Sequence, residues 1–224
     1  MHPQLIVFDL AGTTVEDNQD VQRILMESFR KVGIQISLAE AAAVMGIPKP
    51  VAIEQLLREH ASYQSLLVEE IHKDFRSHMV KFYESDPLVG EKAGVTETFQ
   101  YFQSKGICIV VDTGFDRQTT DALLSRMGWL RKGLVNGSVT SDEVEHGRPY
   151  PDMIYQAMKI AGVDDPGLVA KVGDTASDLG QGTAAGCGWV IGITTGAYTT
   201  EQLKMFPHTH LIAQIPDLRA IFGL

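Results

Sequence analysis

LIVFDLAGTT, residues 5–14, is a short apolar run that ends in a carboxylate and then in a turn of small residues. Leu5 to Phe8 have the length and continuity of a buried strand, and Ala11, Gly12, Thr13 and Thr14 let the backbone turn sharply behind it. In an open α/β sheet, ligands bind outside the carboxyl ends of the strands, so Asp9 is expected to face a crevice. Taken alone, such an aspartate serves equally well as a turn or helix-capping residue.

The rest of the chain supplies the sheet. Helical periodicity over about 95–104 stops at Gly106, and residues 107–111 (ICIVV) then read as a fully buried strand ending at Asp112 and Thr113. A helix over about 117–127 stops at Gly128, and a short strand is expected near Leu134 and Val135. A helix over about 152–161 and the run LVAKVGD (168–174) follow. Near-continuous apolar strands separated by helices predict a doubly wound parallel α/β sheet covered on both faces. Residues 15–85 differ, because they carry helical periodicity and no convincing strand. Helices are expected at about 21–32 and 38–44, with two more after the break at 46–50. The pattern predicts an α/β core of residues 1–14 and 86–224, with an all-helical cap of residues 15–85 inserted as a lid over the Asp9 crevice.

Composition bounds the function. The 224 residues carry a formal net charge of -9, with 44% hydrophobic and 21% charged residues and no basic stripe. This argues against a nucleic-acid partner, since phosphate backbones are met by clustered Lys and Arg. No apolar run is long enough to span a membrane, and the N-terminus has no secretory pattern, so a cytoplasmic protein is expected. Cys108 and Cys187 lack metal-ligand spacing and are expected to be buried thiols.

Four strand-end segments share one chemistry: Asp9 in FDLAGTT, Thr113 in VVDTGFDR, Arg148 in HGRPYP, and Asp174 with Asp178 in VGDTASD. Together they resemble the motifs of the haloacid dehalogenase superfamily of phosphotransferases, and the resemblance runs the length of the chain, helical insertion included. Asp9 suits a carboxylate nucleophile that forms an aspartyl phosphate. Thr113 offers a hydroxyl donor and Arg148 a planar fork for phosphoryl oxygens. The Asp174–Asp178 pair reads in isolation as helix capping by Asp174 or Ser177 with Asp178 facing the helix dipole, or equally as metal ligation. Beside Asp9, the preferred reading is a Mg²⁺ site made by Asp9, Asp174, Asp178 and the Ala11 carbonyl.

Two residues narrow the branch. Most superfamily phosphatases carry an acid two residues after the nucleophile, where this chain has Ala11, and the usual lysine before the last motif is replaced by Arg148. Both features resemble phosphonoacetaldehyde hydrolase, or phosphonatase. That family breaks a carbon–phosphorus bond after a lid lysine forms a Schiff base with the substrate aldehyde, so no leaving alkoxide needs a proton. The spacing in MGIPKP makes Lys49 the corresponding lysine, although a lysine between prolines also reads as a solvated loop residue. The resemblance further implies substrate contacts from Gly12, Thr13, Met45, Gly46, Gly114 and Phe115, and a homodimer formed through the cap. The chain departs from the family where a proton-shuttling histidine becomes Ala52 and a substrate-contacting tyrosine becomes Phe115. His60 could replace that histidine only if the fold returned it to the site.

The expected function is Mg²⁺-dependent hydrolysis, through an aspartyl phosphate, of phosphonoacetaldehyde or a related small carbonyl phosphonate. The alternatives are a phosphatase for a small phosphate monoester and a binding protein that kept the fold without the chemistry. His72, His78 and His146 are expected at surface positions, and Glu16 and Asp17 are expected to cap the first lid helix.

Overall fold

The computed structural model describes residues 2–224. Six parallel strands form one sheet: β1 (Leu5–Phe8), β2 (Cys108–Thr113), β3 (Gly137–Thr140), β4 (Val169–Gly173), β5 (Trp189–Ile193) and β6 (His210–Ile212), in the order β3-β2-β1-β4-β5-β6. The order of strands reverses beside β1, which pairs with β2 (Leu5 opposite Cys108) and with β4 (Leu5 opposite Val169). A doubly wound sheet opens its crevice at such a point, and here Asp9 stands at the tip of β1. The expected strand near Leu134 and Val135 begins slightly later, at Gly137. Both residues are buried, and the backbone N–H and side-chain oxygen of Asn136 pair with Ile109 before the ladder starts.

The period of two along β1 divides the core. Ile6 and Phe8 face α5 (Val95–Ser104) and α6 (Arg117–Met127), where Phe99, Leu123 and Trp129 are buried. Leu5 and Val7 face the opposite way, against Met153, Ile154 and Ala157 of α7 (Asp152–Ala161). Every side chain of β1 is therefore removed from water, which explains why the strand reads as a continuous apolar run rather than an alternation.

Between β1 and α5 lie four helices, α1 (Asp20–Lys31), α2 (Leu38–Ala43), α3 (Lys49–Glu59) and α4 (Ser65–Ser85), and no strand. In α1, Val21, Ile24, Leu25, Ser28 and Phe29 make a buried stripe at helical spacing, and Gly33 ends the segment in the left-handed region at φ 80°. Ser37 and Glu40 form a capping box that starts α2, and prolines flank the first residue of α3. The 21-residue α4 returns the chain to the core and packs along α6. Phe75 and Tyr83 of α4 meet Phe115 of the core at ring-centroid distances of 6.5 and 5.9 Å. One apolar cluster thus runs from the sheet into the helical insertion. No helix among the described residues is long and apolar enough to cross a membrane.

Candidate active site

The sheet's carboxyl edge collects the charges that the sequence scatters over 170 residues. Asp9 follows β1, Thr113 ends β2, Asp174 follows β4, and Asp178 lies in the first turn of α8 (Ala176–Ala185). Arg148 reaches them from the loop between β3 and α7. Its guanidinium lies 2.7 Å from Asp9 Oδ1, 2.6 Å from Asp112 Oδ1 and 2.9 Å from Asp178 Oδ1, and it also donates to the Asp112 carbonyl at 2.8 Å. All of these side chains are buried.

Two members of this network were given no site role by the sequence. Lys171, in the middle of β4 and fully buried, contacts Asp112 and lies 3.0 Å from Asp178. Asp112, also fully buried, joins Lys171 to Arg148. The available signal was a lysine inside an otherwise apolar strand, because a charge in a strand covered on both faces needs a partner.

Around the acids, each local bond has an orienting role. Thr13 donates to Asp174 Oδ1 at 2.9 Å, the Ala197 N–H donates to Asp174 Oδ2 at 2.6 Å, and Thr14 donates to the Asp9 carbonyl at 2.8 Å. Gly12 has φ +87°, and a Cβ there would lie 2.4 Å from Asp174 Oδ2, so only glycine lets the loop pass. Gly12 and Thr13 therefore serve Asp174 from behind instead of lining the cleft. Thr113 Oγ1 accepts the Phe115 N–H at 3.2 Å, which leaves its own proton free to donate. Thr175, not Asp174 or Ser177, caps α8. The Asp178 Oδ2 atom accepts the Thr175 N–H and hydroxyl, and its Oδ1 atom turns toward Arg148 and Lys171.

Carboxylate oxygens of Asp9, Asp174 and Asp178 lie within 4.8 Å of one another. Burial pushes the Asp174 carboxyl up to about 8, and repulsion from Asp9 and Asp178 adds to the rise. Burial likewise pushes Asp9 up to about 6, against the opposing pull of Arg148. Burial disfavours ionised Asp178 too, but Arg148 and Lys171 outweigh it and hold that carboxyl below its usual range. Asp178 Oδ1 is a buried atom with no aligned hydrogen bond. With Asp9, Asp112, Asp174 and Asp178 ionised, Arg148 and Lys171 leave two negative charges without a counterpart. An all-oxygen donor set with a deficit of two positive charges fits a hard divalent cation.

The insertion completes a cleft of about 390 Å³, counting its open mouth. Met45, Gly46 and Lys49 from the insertion face Asp9, Ala11, Thr113, Gly114, Phe115, Arg148 and Asp174 from the core, and Asp17 stands at the junction. Lys49 is 4% exposed, and its ammonium lies 5.6 Å from the ring centroid of Phe115 and 5.9 Å from that of Phe75. Burial lowers its pKa to about 8, against the pull of Asp9 and Asp17. The solvated-loop reading of Lys49 is thereby overturned: Lys49 opens α3 from inside the cleft.

The histidines lie elsewhere. His60 is paired with Glu40 at 2.7 Å, His72 lies 3.9 Å from Asp116, His78 touches Lys31 and Asp74, and His146 lies 3.5 Å from Asp152. Ala52 is buried and apolar. Glu16 is exposed, whereas Asp17 caps α1 as expected. Cys108 and Cys187 are free thiols and only partly buried at the rim of the core, Cys108 as the first residue of β2 and Cys187 in the turn before β5.

The strand order, the inserted helices and the charged carboxyl edge define a hydrolase of the haloacid dehalogenase-like family, to which the chain belongs; the family model matches residues 3–186. Within that class, the chain is similar to the phosphonoacetaldehyde hydrolase of Bacillus cytotoxicus, with 30% identity over 211 residues, covering 88% of this chain and 78% of that one. Among solved structures, a phosphonoacetaldehyde hydrolase-like protein from Oleispira antarctica superposes with a TM-score of 0.85 at 19% identity, covering 99% of this chain and 91% of that one. A predicted phosphoglycolate phosphatase from Haemophilus somnus superposes at 0.79 and 18%, covering 97% of each chain. At those identities the likeness to the solved structures concerns the fold.

Proposed function

We propose that this hydrolase breaks the carbon–phosphorus bond of phosphonoacetaldehyde or a related small carbonyl phosphonate, with residues 15–85 acting as a lid. The single observation that carries the reading is Lys49, a desolvated lysine placed by the lid in the same cleft as Asp9. A lysine whose pKa is lowered to about 8 keeps an appreciable fraction of free amine near neutral pH, and a free amine attacks an aldehyde carbon.

The roles then follow. The Lys49 amine condenses with the aldehyde to an iminium and releases water. Asp9 attacks phosphorus in line, and the electron pair of the carbon–phosphorus bond moves into the iminium to give an enamine. Protonation of the enamine at carbon and hydrolysis of the resulting iminium release the aldehyde and free Lys49, and a second water cleaves the aspartyl phosphate to phosphate. Arg148 and the Thr113 hydroxyl hold the phosphoryl oxygens, while Met45, Gly46, Gly114 and Phe115 enclose the carbon part of the substrate. Asp9, Asp174 and Asp178, with the Ala11 carbonyl, would hold Mg²⁺, which supplies charge neutralisation for an anionic nucleophile meeting an anionic substrate. Ala11 fits this scheme, because a carbanion equivalent taken up by an iminium needs no acid at that position.

Phosphate release from phosphonoacetaldehyde with Mg²⁺, followed by cyanoborohydride trapping and mass spectrometry, tests the reading. Release together with an adduct on Lys49 supports it; release without an adduct refutes the imine route. The second reading, a phosphatase for small phosphate monoesters, is favoured by the apolar Ala52 where the family carries its proton shuttle. It predicts release from esters and silence on the phosphonate.

A further inference from the structure

Five charged side chains line the cleft: Asp9, Asp17, Lys49, Arg148 and Asp174. Four of them have tasks in the reading just given, and Asp17 has none. Asp17 precedes α1 at the point where the chain leaves the core, and its Oδ1 atom accepts the backbone N–H groups of Asp20 and Val21 at 2.8 and 3.3 Å. Its Oδ2 atom has no hydrogen-bond partner in the protein among the described residues, and the residue is half-buried rather than freely solvated. A carboxylate needed only for capping would not have to line the same cleft as the nucleophilic lysine and the phosphoryl site.

Imine formation cannot proceed without proton transfer. The carbinolamine must gain a proton on oxygen to expel water, and the attacking nitrogen must lose one. Lys49 cannot do both, Arg148 stays charged, and Asp9 and Asp174 are committed to phosphorus and metal. The histidines are excluded by position, as His60 is held by Glu40 and neither His72 nor His146 lines the cleft.

We propose that Asp17 is the proton-transfer residue of this site, serving the carbonyl oxygen and the Lys49 nitrogen in turn; the inference rests on the imine reading of Lys49. The reaction begins when the Asp17 carboxylate takes a proton from the Lys49 ammonium, which frees the amine and leaves that proton on Asp17. As the nitrogen–carbon bond forms, the carbonyl π pair moves to oxygen, and oxygen takes the Asp17 proton. The carboxylate then accepts a proton from the positively charged nitrogen. It returns that proton to the hydroxyl group as the nitrogen lone pair forms the carbon–nitrogen double bond and water departs. The products are an iminium, water and the Asp17 carboxylate, so atoms and charge balance.

The surroundings suit the task. Burial raises the Asp17 carboxyl above the ordinary carboxylate range, and the two backbone N–H groups and Lys49 pull it back. Asp20 at the start of α1 and Lys49 on α3 act on it by charge, and the Tyr83 hydroxyl of α4 is raised in turn by its charge. Lys49 and Asp17 line the same cleft and act on one another by charge, Asp17 favouring the protonated lysine and Lys49 the ionised carboxylate.

The test uses D17N, D17E and H72Q in the full chain. The asparagine side-chain oxygen can accept the same Asp20 and Val21 N–H groups, so D17N preserves the start of α1 while removing the acid. Melting temperatures check that each variant folds. The readout is the rate at which phosphonoacetaldehyde gives a cyanoborohydride-trapped adduct on Lys49. Loss of a general acid–base group slows its step by roughly 10²-fold or more, so D17N is expected to slow trapping by about that factor, with D17E recovering part of it and H72Q staying within about twofold of the unsubstituted chain. Trapping by folded D17N at the unsubstituted rate overturns the proposal, as does a large loss confined to H72Q. If the unsubstituted chain gives no adduct on Lys49, the imine reading itself has failed.

Discussion

The two walls of the cleft obtain their chemistry by opposite means. The core wall is built from ion pairs: Arg148 and Lys171 lie between Asp9, Asp112 and Asp178, and each of these acids has a cation within 3.0 Å. The lid wall places Lys49 against Phe75 and Phe115 with no ion pair, so desolvation dominates its acidity. Phosphoryl transfer needs fixed charge aimed at oxygens, which pairing preserves. An amine nucleophile needs the reverse, an environment that makes its proton easy to lose.

The largest effect expected from breaking this contrast is on Lys49. K49M removes the nucleophile, and carbon–phosphorus cleavage should fall by roughly 10³-fold or more, read as phosphate release. The same variant should be more stable. The folded-state pKa lies near 8 against 10.5 for the ordinary lysine, so a buried charge below pH 8 costs about 3 kcal/mol. Between about pH 8 and 10.5 the unfolded chain holds the extra proton, so the stability of the unsubstituted protein rises with pH and the advantage of K49M fades across that window. Denaturant titrations at pH 7 and pH 10 measure the difference; equal gaps at both would refute desolvation as the source of the shift. Activity should climb as pH rises toward 8, as the free amine accumulates.

Next comes the core wall. K171M leaves Asp112 and Asp178 buried with one cation fewer, and breaking one partner from a buried ionic network costs about 3–5 kcal/mol. Unlike K49M, this variant should lower the melting temperature and kcat together. Urea unfolding alongside Mg²⁺-dependent phosphate release reads both. A stability change below about 1 kcal/mol would mean that Lys171 is not part of the charge balance.

How far each wall could be read from the sequence follows the same division. The strand tips at Asp9, Thr113 and Asp174 were legible because apolar runs of strand length end at them, and the helical insertion was legible from helical periodicity without any strand-like run. Lys171 was missed because it lies inside LVAKVGD, whose apolar pattern decides strand while concealing that one buried side chain is charged. Asp112 was seen only as the end of a strand, since its partners come from loops and strands 36 and 59 residues away. Lys49 was legible through resemblance; what buries it, the stacking of α4 on Phe115, is a tertiary contact that leaves no local trace. Asp17 was read as a cap, which it is, and its second face became visible only when α1 was placed beside the cleft.

The smallest expected effect tests how the walls are held together. Gly46 has φ +83°, and a Cβ there would lie 2.3 Å from Thr175 Oγ1, an atom fixed in the α8 capping box. An alanine pays about 1–2 kcal/mol for the left-handed backbone, and the clash adds to this by pushing the lid segment off the core. Because the helical insertion brings Lys49 and the core brings Asp9, G46A should weaken catalysis with the proposed phosphonate, which needs both walls, while leaving the core's own ion pairs intact. The expected outcome is a roughly tenfold loss of kcat/KM for the phosphonate, equivalent to about 1.4 kcal/mol. The rate of Lys49 trapping by a simple aldehyde, which needs only the lid wall, should change less. If both rates fell together, the substitution would have disturbed Lys49 itself, and the two walls would not be the separable units that their opposite electrostatics imply.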